Sequence, residues 1–141
     1  MPSHGEIARP VPFRTVPYPV EWVVGDTSIY LVITHENWFK YYLSSPTGSN
    51  FETYIYIVTS LGLKPNPGYS IGILQIEQLK DRITIKVELQ EPDPKKVYPQ
   101  VIVRPMTVAE VAKADMEPSG VLEFVFVDQK GRQLAALKQE I

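Results

Sequence analysis

The chain has 141 residues, of which 44% are hydrophobic and 21% are charged, with a formal net charge of -2 and no cysteine. This length and composition predict one folded domain, and the scattered basic residues exclude the clustered positive charge typical of a nucleic-acid-binding protein. The lack of cysteine excludes disulfides, thiolate nucleophiles and cysteine-bound zinc. No apolar run reaches the roughly 18 residues that predict a membrane-spanning helix.

Prolines mark where the regular elements end. Because proline has no backbone N–H, it cannot join the ladder of a central strand, and closely spaced prolines predict arms, edge strands or turns. Four Pro-x-Pro units occur, at residues 10–12, 17–19, 65–67 and 92–94. The first two predict a proline-rich N-terminal arm over residues 1–20, and residues 21–141 are predicted to form a single β-rich domain.

The first part of this domain predicts a strand, a short helix and a second strand. The segments 28–34 and 54–58 are apolar on nearly both faces, which is typical of central strands covered on each side. Between them, residues 34–43 predict a helix, because Thr34 can cap its first turn and aromatic side chains recur at four-residue spacing.

A stiff turn and a long hairpin follow. The turn is Pro65-Asn66-Pro67-Gly68-Tyr69, in which the prolines restrict the backbone and Gly68 can adopt a positive φ. Gly72 predicts a bulge, because the apolar positions of the first hairpin strand shift there. The second hairpin strand, Ile83–Leu89, alternates apolar and polar residues and predicts one buried and one wet face.

The chain then reverses through Glu91-Pro92-Asp93-Pro94 and is predicted to return as a strand over residues 98–103. The turn, the hairpin, the reversal and the return strand, over residues 61–104, resemble the C-terminal domain of PrcB-type accessory subunits of bacterial protease complexes. This resemblance implies a non-catalytic domain that contacts another protein. The candidate binding residues are those of the turn, namely Asn66, Pro67, Gly68 and Tyr69. The Tyr69 ring can either anchor the turn to the core or stand out as a recognition side chain.

A second helix is predicted to begin at Thr107. Thr107 and Glu110 have the spacing of a capping box, and Pro118-Ser119-Gly120 would end the helix.

The C-terminal part predicts a strand at 121–127, a short hairpin loop at Asp128–Gly131 and a last segment, 132–141. We interpret this last segment as a return strand, although its Leu134–Lys138 stretch has helix propensity. Within the 121–127 strand, Glu123 is expected to face an edge. We expect the core to include Ile85, Val87, Phe124 and Phe126, and we expect exposed positions at Thr84, Lys86 and Glu88.

The chain offers little catalytic or metal-binding chemistry. His4 and His35 have no second ligand at a helical spacing of three or four residues, and no serine lies in a Gly-x-Ser-x-Gly sequence. The carboxylates Glu88, Glu91 and Asp93 are expected to be solvated beside lysines. We therefore predict no catalytic residues, no metal site and no cofactor.

The sequence as a whole predicts an α+β, mainly β fold, with antiparallel strands bent into a sandwich or half-open barrel and two short helices. The predicted function is a non-catalytic protein-binding or accessory domain, with a protease among the expected partners and a homo-oligomer through a strand edge as a further expectation. The alternatives are an inhibitor-like module that presents the 65–68 loop and a small-ligand domain with an aromatic pocket. The N-terminus has no signal-peptide pattern, which predicts a cytoplasmic protein as given, or an exported one if a leader has been removed.

Overall fold

The computed structural model describes residues 7–17, 28–34, 37–38 and 50–141. The predicted helix at 34–43 lies mostly outside these residues. The regular elements of the described part are nine β-strands and one short 3-10 turn at Lys113–Asp115. In chain order, the strands are β1 (Arg9–Pro10), β2 (Arg14–Val16), β3 (Ile29–Ile33), β4 (Tyr54–Ser60), β5 (Ser70–Leu79), β6 (Arg82–Gln90), β7 (Met106–Ala112), β8 (Val121–Val127) and β9 (Gln133–Glu140).

The strands form two sheets. The first has five strands in the order β1-β5-β6-β8-β9, and the second has four in the order β2-β7-β4-β3. Neighbouring strands pair antiparallel, except for β6 and β8, which are parallel, with Arg82 opposite Glu123 and Lys86 opposite Val127.

The main core lies between the sheets. The second sheet contributes Ile55, Ile57, Ala109 and Val111, which pack against the apolar side chains of β5, β6 and β8. The opposite face of the second sheet carries a smaller cluster around Tyr56, Val58, Val108, Ile33 and Phe51. The architecture is therefore a β-sandwich whose second sheet buries side chains on both faces.

The prediction of an α+β fold with two helices is wrong in the described part of the chain. The segment from Thr107 to Glu110 lies in β7 and pairs with β4 instead of starting a helix. The Thr107 hydroxyl donates to the carbonyl of Ile71 at 2.7 Å, so it does not cap a helix. The β-branched residues of β7 favour a strand, and pairing in the middle of a sheet outweighs the capping-box pattern.

Two further local predictions are wrong. The segment 98–103 is irregular and contributes only Val103, in an isolated bridge with Lys64. The bulge in β5 lies between Ile73 and Gln75, whereas Gly72 stays in register opposite Glu88.

Other predictions are confirmed. The C-terminal segment forms the return strand β9, and Gly131 in its hairpin loop has a φ of 82°. The predicted core side chains are fully buried, namely Ile85, Val87, Phe124 and Phe126. On the outer face Lys86 and Glu88 are exposed as predicted, whereas Thr84, which was also predicted to be exposed, is half-buried.

Residues 9–16 form an N-terminal strap that joins both sheets. β1 pairs with β5 at the edge of the first sheet, and β2 pairs with β7 at the edge of the second. Between the two strands, Val11 is only 2% exposed and belongs to the main core. Arg9 donates to the carbonyls of Asp115 and Glu117 at 3.0 and 2.8 Å. The strap is therefore held by a buried side chain as well as by strand pairing.

Truncation of Phe124 should test the packing between the sheets. We expect Phe124→Ala to lower the free energy of unfolding by about 3–5 kcal/mol, because it leaves a cavity in a filled core. Equilibrium unfolding in denaturant measures this change. The control Val121→Ala, on the same strand at a residue 59% exposed, should change stability by less than about 0.5 kcal/mol. Equal effects of the two substitutions would contradict this core.

The β8–β9 turn should contribute stability that depends on pH. Asp128 is buried, which by itself disfavours its charge, but hydrogen bonds from Arg132 and Lys130 outweigh this and hold its pKa below the ordinary 3.8. Since the folded pKa is lowered, the contribution is present above pH 3.8 and is lost as the pH falls through the folded value. In unfolding measurements against pH, Asp128→Asn should lack this acid-dependent loss. An unchanged acid profile in the variant would show that the turn does not carry it.

Candidate functional site

The turn and the reversal meet at one end of the sandwich, which we call the loop end (residues 64–70 and 91–105). β5 begins there and β6 ends there, with Ser70 opposite Gln90. At its base Lys64 and Val103 exchange two backbone hydrogen bonds, of 2.8 and 2.9 Å. The loop end is thus tied at its base, between β4 and β7.

The 65–69 turn is held by a side chain and by close packing. The side-chain oxygen of Asn66 accepts a hydrogen bond from the Gly68 N–H at 2.9 Å, which forms an Asx turn. A Cβ added to Gly68 would lie 2.9 Å from the Cβ of Pro92 and 2.9 Å from that Asn66 oxygen. Gly68 does not have a positive φ, so the sequence-based reason for this glycine is wrong. It is required because the two proline-rich loops approach each other closely.

The reversal after β6 is built in the same way. The Asp93 carboxylate accepts a hydrogen bond from the Lys95 N–H at 2.9 Å, and the Asp93 N–H donates to the Tyr98 hydroxyl oxygen at 3.0 Å. The Lys96 N–H closes the turn on the Asp93 carbonyl at 3.0 Å. Each loop is therefore closed by hydrogen bonds from its own side chains and backbone.

Two grooves flank the 65–69 turn. The larger, the proline groove, has a volume of about 560 Å³. It is lined by residues of both loops, namely Pro65, Asn66, Pro92, Asp93, Pro94, Lys96, Tyr98 and Gln100. The smaller groove has a volume of about 250 Å³, and among the residues that line it are Pro67, Tyr69, Val103 and Arg104.

The structure therefore divides the predicted binding residues between two surfaces. Asn66 lines the proline groove, Pro67 and Tyr69 line the smaller groove, and Gly68 packs between the loops. The Tyr69 ring is half-buried, and the Lys64 ammonium lies 5.1 Å from its centroid. Tyr69 thus combines a contact with its own loop and a face that lines a groove.

The sequence analysis missed an exposed apolar stretch beside the proline groove. Val97, Val101 and Ile102 are 99%, 55% and 70% exposed, and they adjoin groove-lining residues in the chain. They were assigned in part to a strand because valine and isoleucine favour strands. Pro99 and Pro105, which enclose the 101–103 run, were the available signal that this segment cannot pair along its length.

The described part of the chain does not assemble a metal site or an unpaired buried acid. Within residues 7–17, 28–34, 37–38 and 50–141, no group of three or more His, Cys, Asp or Glu could hold a metal ion. Both histidines lie outside these residues. Glu123 is half-buried and pairs with Arg82 at 3.1 Å.

Glu110, a second buried carboxylate besides Asp128, is also fully engaged. It accepts hydrogen bonds from Arg14 at 2.7 Å and from the Tyr56 hydroxyl at 3.0 Å, along one row across β2, β7 and β4. Burial and this contact with Glu110 raise the pKa of Tyr56. The trio connects the N-terminal strap to the second sheet, and its geometry favours a structural role.

Together, these features define a β-sandwich domain whose loop end is built from two interlocked proline-rich turns. The family described as PrcB C-terminal matches residues 55–112, from β4 to the end of β7. Residues 55–112 are therefore similar to the PrcB C-terminal domain, and the resemblance predicted for residues 61–104 is confirmed. The matched range includes the whole loop end, whereas β8 and β9 complete the first sheet outside it.

The other comparisons add no relatives: neither the curated proteins nor the solved structures gave a match to this chain. In the described residues, no helix has the length and apolar character needed to cross a membrane.

Substitution of Gly68 should test the contact between the loops. Gly68→Ala places a methyl group against Pro92, and we expect a loss of about 1–3 kcal/mol in unfolding free energy from overpacking. Gly72→Ala is the matched control, because a Cβ there meets nothing within 4 Å. It should be neutral or stabilise by at most about 1 kcal/mol. If denaturant unfolding gives the two variants the same stability, the loops do not pack as described.

Proposed function

We propose that this chain is a non-catalytic accessory domain that binds a protein partner through its loop end, and that the partner belongs to a protease complex. The class of partner is supported by the match to the PrcB C-terminal family over residues 55–112. The location is supported by the proline groove and the apolar stretch beside it.

The observation that carries the proposal is the rigid contact between the two loops. Gly68 packs on Pro92, and Asn66 and Asp93 each close a turn with a side-chain hydrogen bond. A surface held in this way loses little conformational entropy when a partner binds, so more of the contact energy contributes to affinity. Such order is otherwise unexpected in exposed loops.

The exposed apolar side chains are the second support. Single exposed apolar residues are common, but here Val97, Val101 and Ile102 lie in one short segment without strand pairing along its length. Apolar side chains next to a preformed groove with polar walls are typical of a recognition surface. The open proline groove suits a protein segment that lies across it.

Affinity capture with the full chain tests the apolar stretch. We expect Val101→Asp combined with Ile102→Asp to abolish capture of a protease-complex component that the parent retains, as identified by mass spectrometry. The control is Val121→Asp. Val121 has nearly the same exposure, 59% against 55%, and lies at the opposite end of the sandwich because β8 begins beside the start of β6. Equal capture by the double variant and the parent would overturn the proposed surface.

A second variant tests the turn itself. Replacing Asn66 with Gly and Pro67 with Ser removes the Asx-turn acceptor and one proline. It should weaken capture while changing stability by only about 1 kcal/mol, because the affected loop lies outside the core. If this variant captures the partner as well as the parent does, the 65–69 turn does not contact the partner, and the contact is made by the 97–102 segment alone.

The inhibitor-like alternative is favoured by one specific observation, the stiffness of the 65–68 loop. Prolines and the contact of Gly68 with Pro92 would let this loop enter a cleft at low entropic cost. If the captured partner is a protease, measuring its turnover of substrate with and without this chain distinguishes the two functions. Inhibition that is lost with the Asn66 and Pro67 replacements would favour the inhibitor, and unchanged or increased turnover would favour the accessory domain.

A further inference from the structure

We propose that the edge of β9 binds the β9 edge of a second copy of this chain, joining the first sheets of both copies in an antiparallel dimer. This surface is separate from the loop end. Among the edge strands of the described residues, β9 is the longest, with eight residues against two in β1, three in β2 and five in β3.

The direction of the backbone groups along β9 can be derived from one hydrogen bond. The Ile141 N–H donates to the Gly120 carbonyl at 2.8 Å, on the β8 side. Backbone groups alternate in direction along a strand, so those of Leu137 and Gln139 also point towards β8. The backbone groups of Ala136, Lys138 and Glu140 therefore point along the sheet, away from β8. They present donors and acceptors to an additional strand. The Glu140 carbonyl already accepts a long hydrogen bond from the Gln139 side chain, at 3.2 Å, and its second lone pair remains for the added strand.

The side chains favour a second copy as that strand. A two-fold axis through Gln139 places Lys138 of each copy opposite Glu140 of the other, so the pairing forms two cross-strand charge pairs at once. In this register residues 137–141 of the two copies overlap, and the outward backbone groups of Lys138 in one copy are opposite those of Glu140 in the other, as a hydrogen-bonded antiparallel pair requires. A lysine on an edge strand normally discourages pairing with another strand. In this dimer, however, Glu140 of the second copy provides a negative charge opposite Lys138.

Both charges are accessible for this role. Lys138 and Glu140 are exposed. Lys138 lies beside Glu123 of β8, but that carboxylate is already paired with Arg82 at 3.1 Å. On the other face of β9, Leu137 is half-buried and packs against the main core, which keeps the strand in register for pairing.

Charge reversal on the full chain tests the dimer. The dissociation constant is measured by sedimentation over a concentration series at low salt. Lys138→Glu and Glu140→Lys each convert both charge pairs into repulsive ones, and each should weaken the dimer about tenfold. The double reversal restores opposite charges across the axis and should recover the parent dissociation constant. Thermal unfolding of each variant confirms that the monomer fold is kept.

A backbone variant provides an independent test. Glu140→Pro removes an N–H that points away from β8 and lies opposite Lys138 of the second copy in this register, so it should shift the equilibrium to the monomer while the β8–β9 pairing is retained. A parent chain that stays monomeric over the series would overturn the proposal. A dimer that neither charge reversal nor this proline weakens would overturn it as well.

Discussion

The parallel pairing of β6 with β8 is the constraint on which the rest of the molecule depends. β6 ends at the loop end, and a parallel neighbour must start at the opposite end, so the chain has to return along the sandwich before β8 begins. It returns as β7 in the other sheet, paired with β4. The segments 91–105 and 113–120 must therefore cross between the sheets, one at each end of the sandwich.

This crossing explains why the candidate site lies where it does. Packed sheets are about 10 Å apart, and a segment that crosses this gap cannot pair continuously with either sheet. Residues 91–105 also contain prolines that remove backbone donors, so Val101 and Ile102 remain exposed although their side chains favour strands. The Lys64–Val103 bridge ties the crossing to the end of β4. The contact of Gly68 with Pro92 then fixes the position of the crossing segment relative to the 65–69 turn.

The sequence predicts those parts of the fold that depend on local pattern. Alternation identified β6 and its buried face, and Gly131 identified the β8–β9 hairpin, because in both cases the information lies within a few neighbouring residues. The capping-box pattern at Thr107 failed for the opposite reason. Its sequence is compatible with either element, and pairing with β4, which is distant in the chain, decides for a strand.

The same distinction applies to the site. The stiff turn at Asn66 and Pro67 was predictable, because proline and asparagine act on their own backbone. The requirement for glycine at position 68 was not predictable, because it comes from a contact with Pro92. These two residues are 24 positions apart, and the local sequence pattern does not report such a contact. Division of the turn between two grooves likewise depends on where the crossing segment 91–105 lies.

The two sides of the sandwich differ in a way that bears on assembly. On one side, the N-terminal strap covers β5 and β7 with very short strands, and Arg9 and Arg14 hold it through hydrogen bonds of 2.7 to 3.0 Å. On the other side, β9 is the edge strand of the five-stranded first sheet. β9 runs away from the loop end, because it is antiparallel to β8. In a two-fold dimer through β9, the loop ends of the two copies therefore face opposite directions. Each would remain open to its own partner, so dimerisation and partner binding are compatible and a dimer could bind two partners at once.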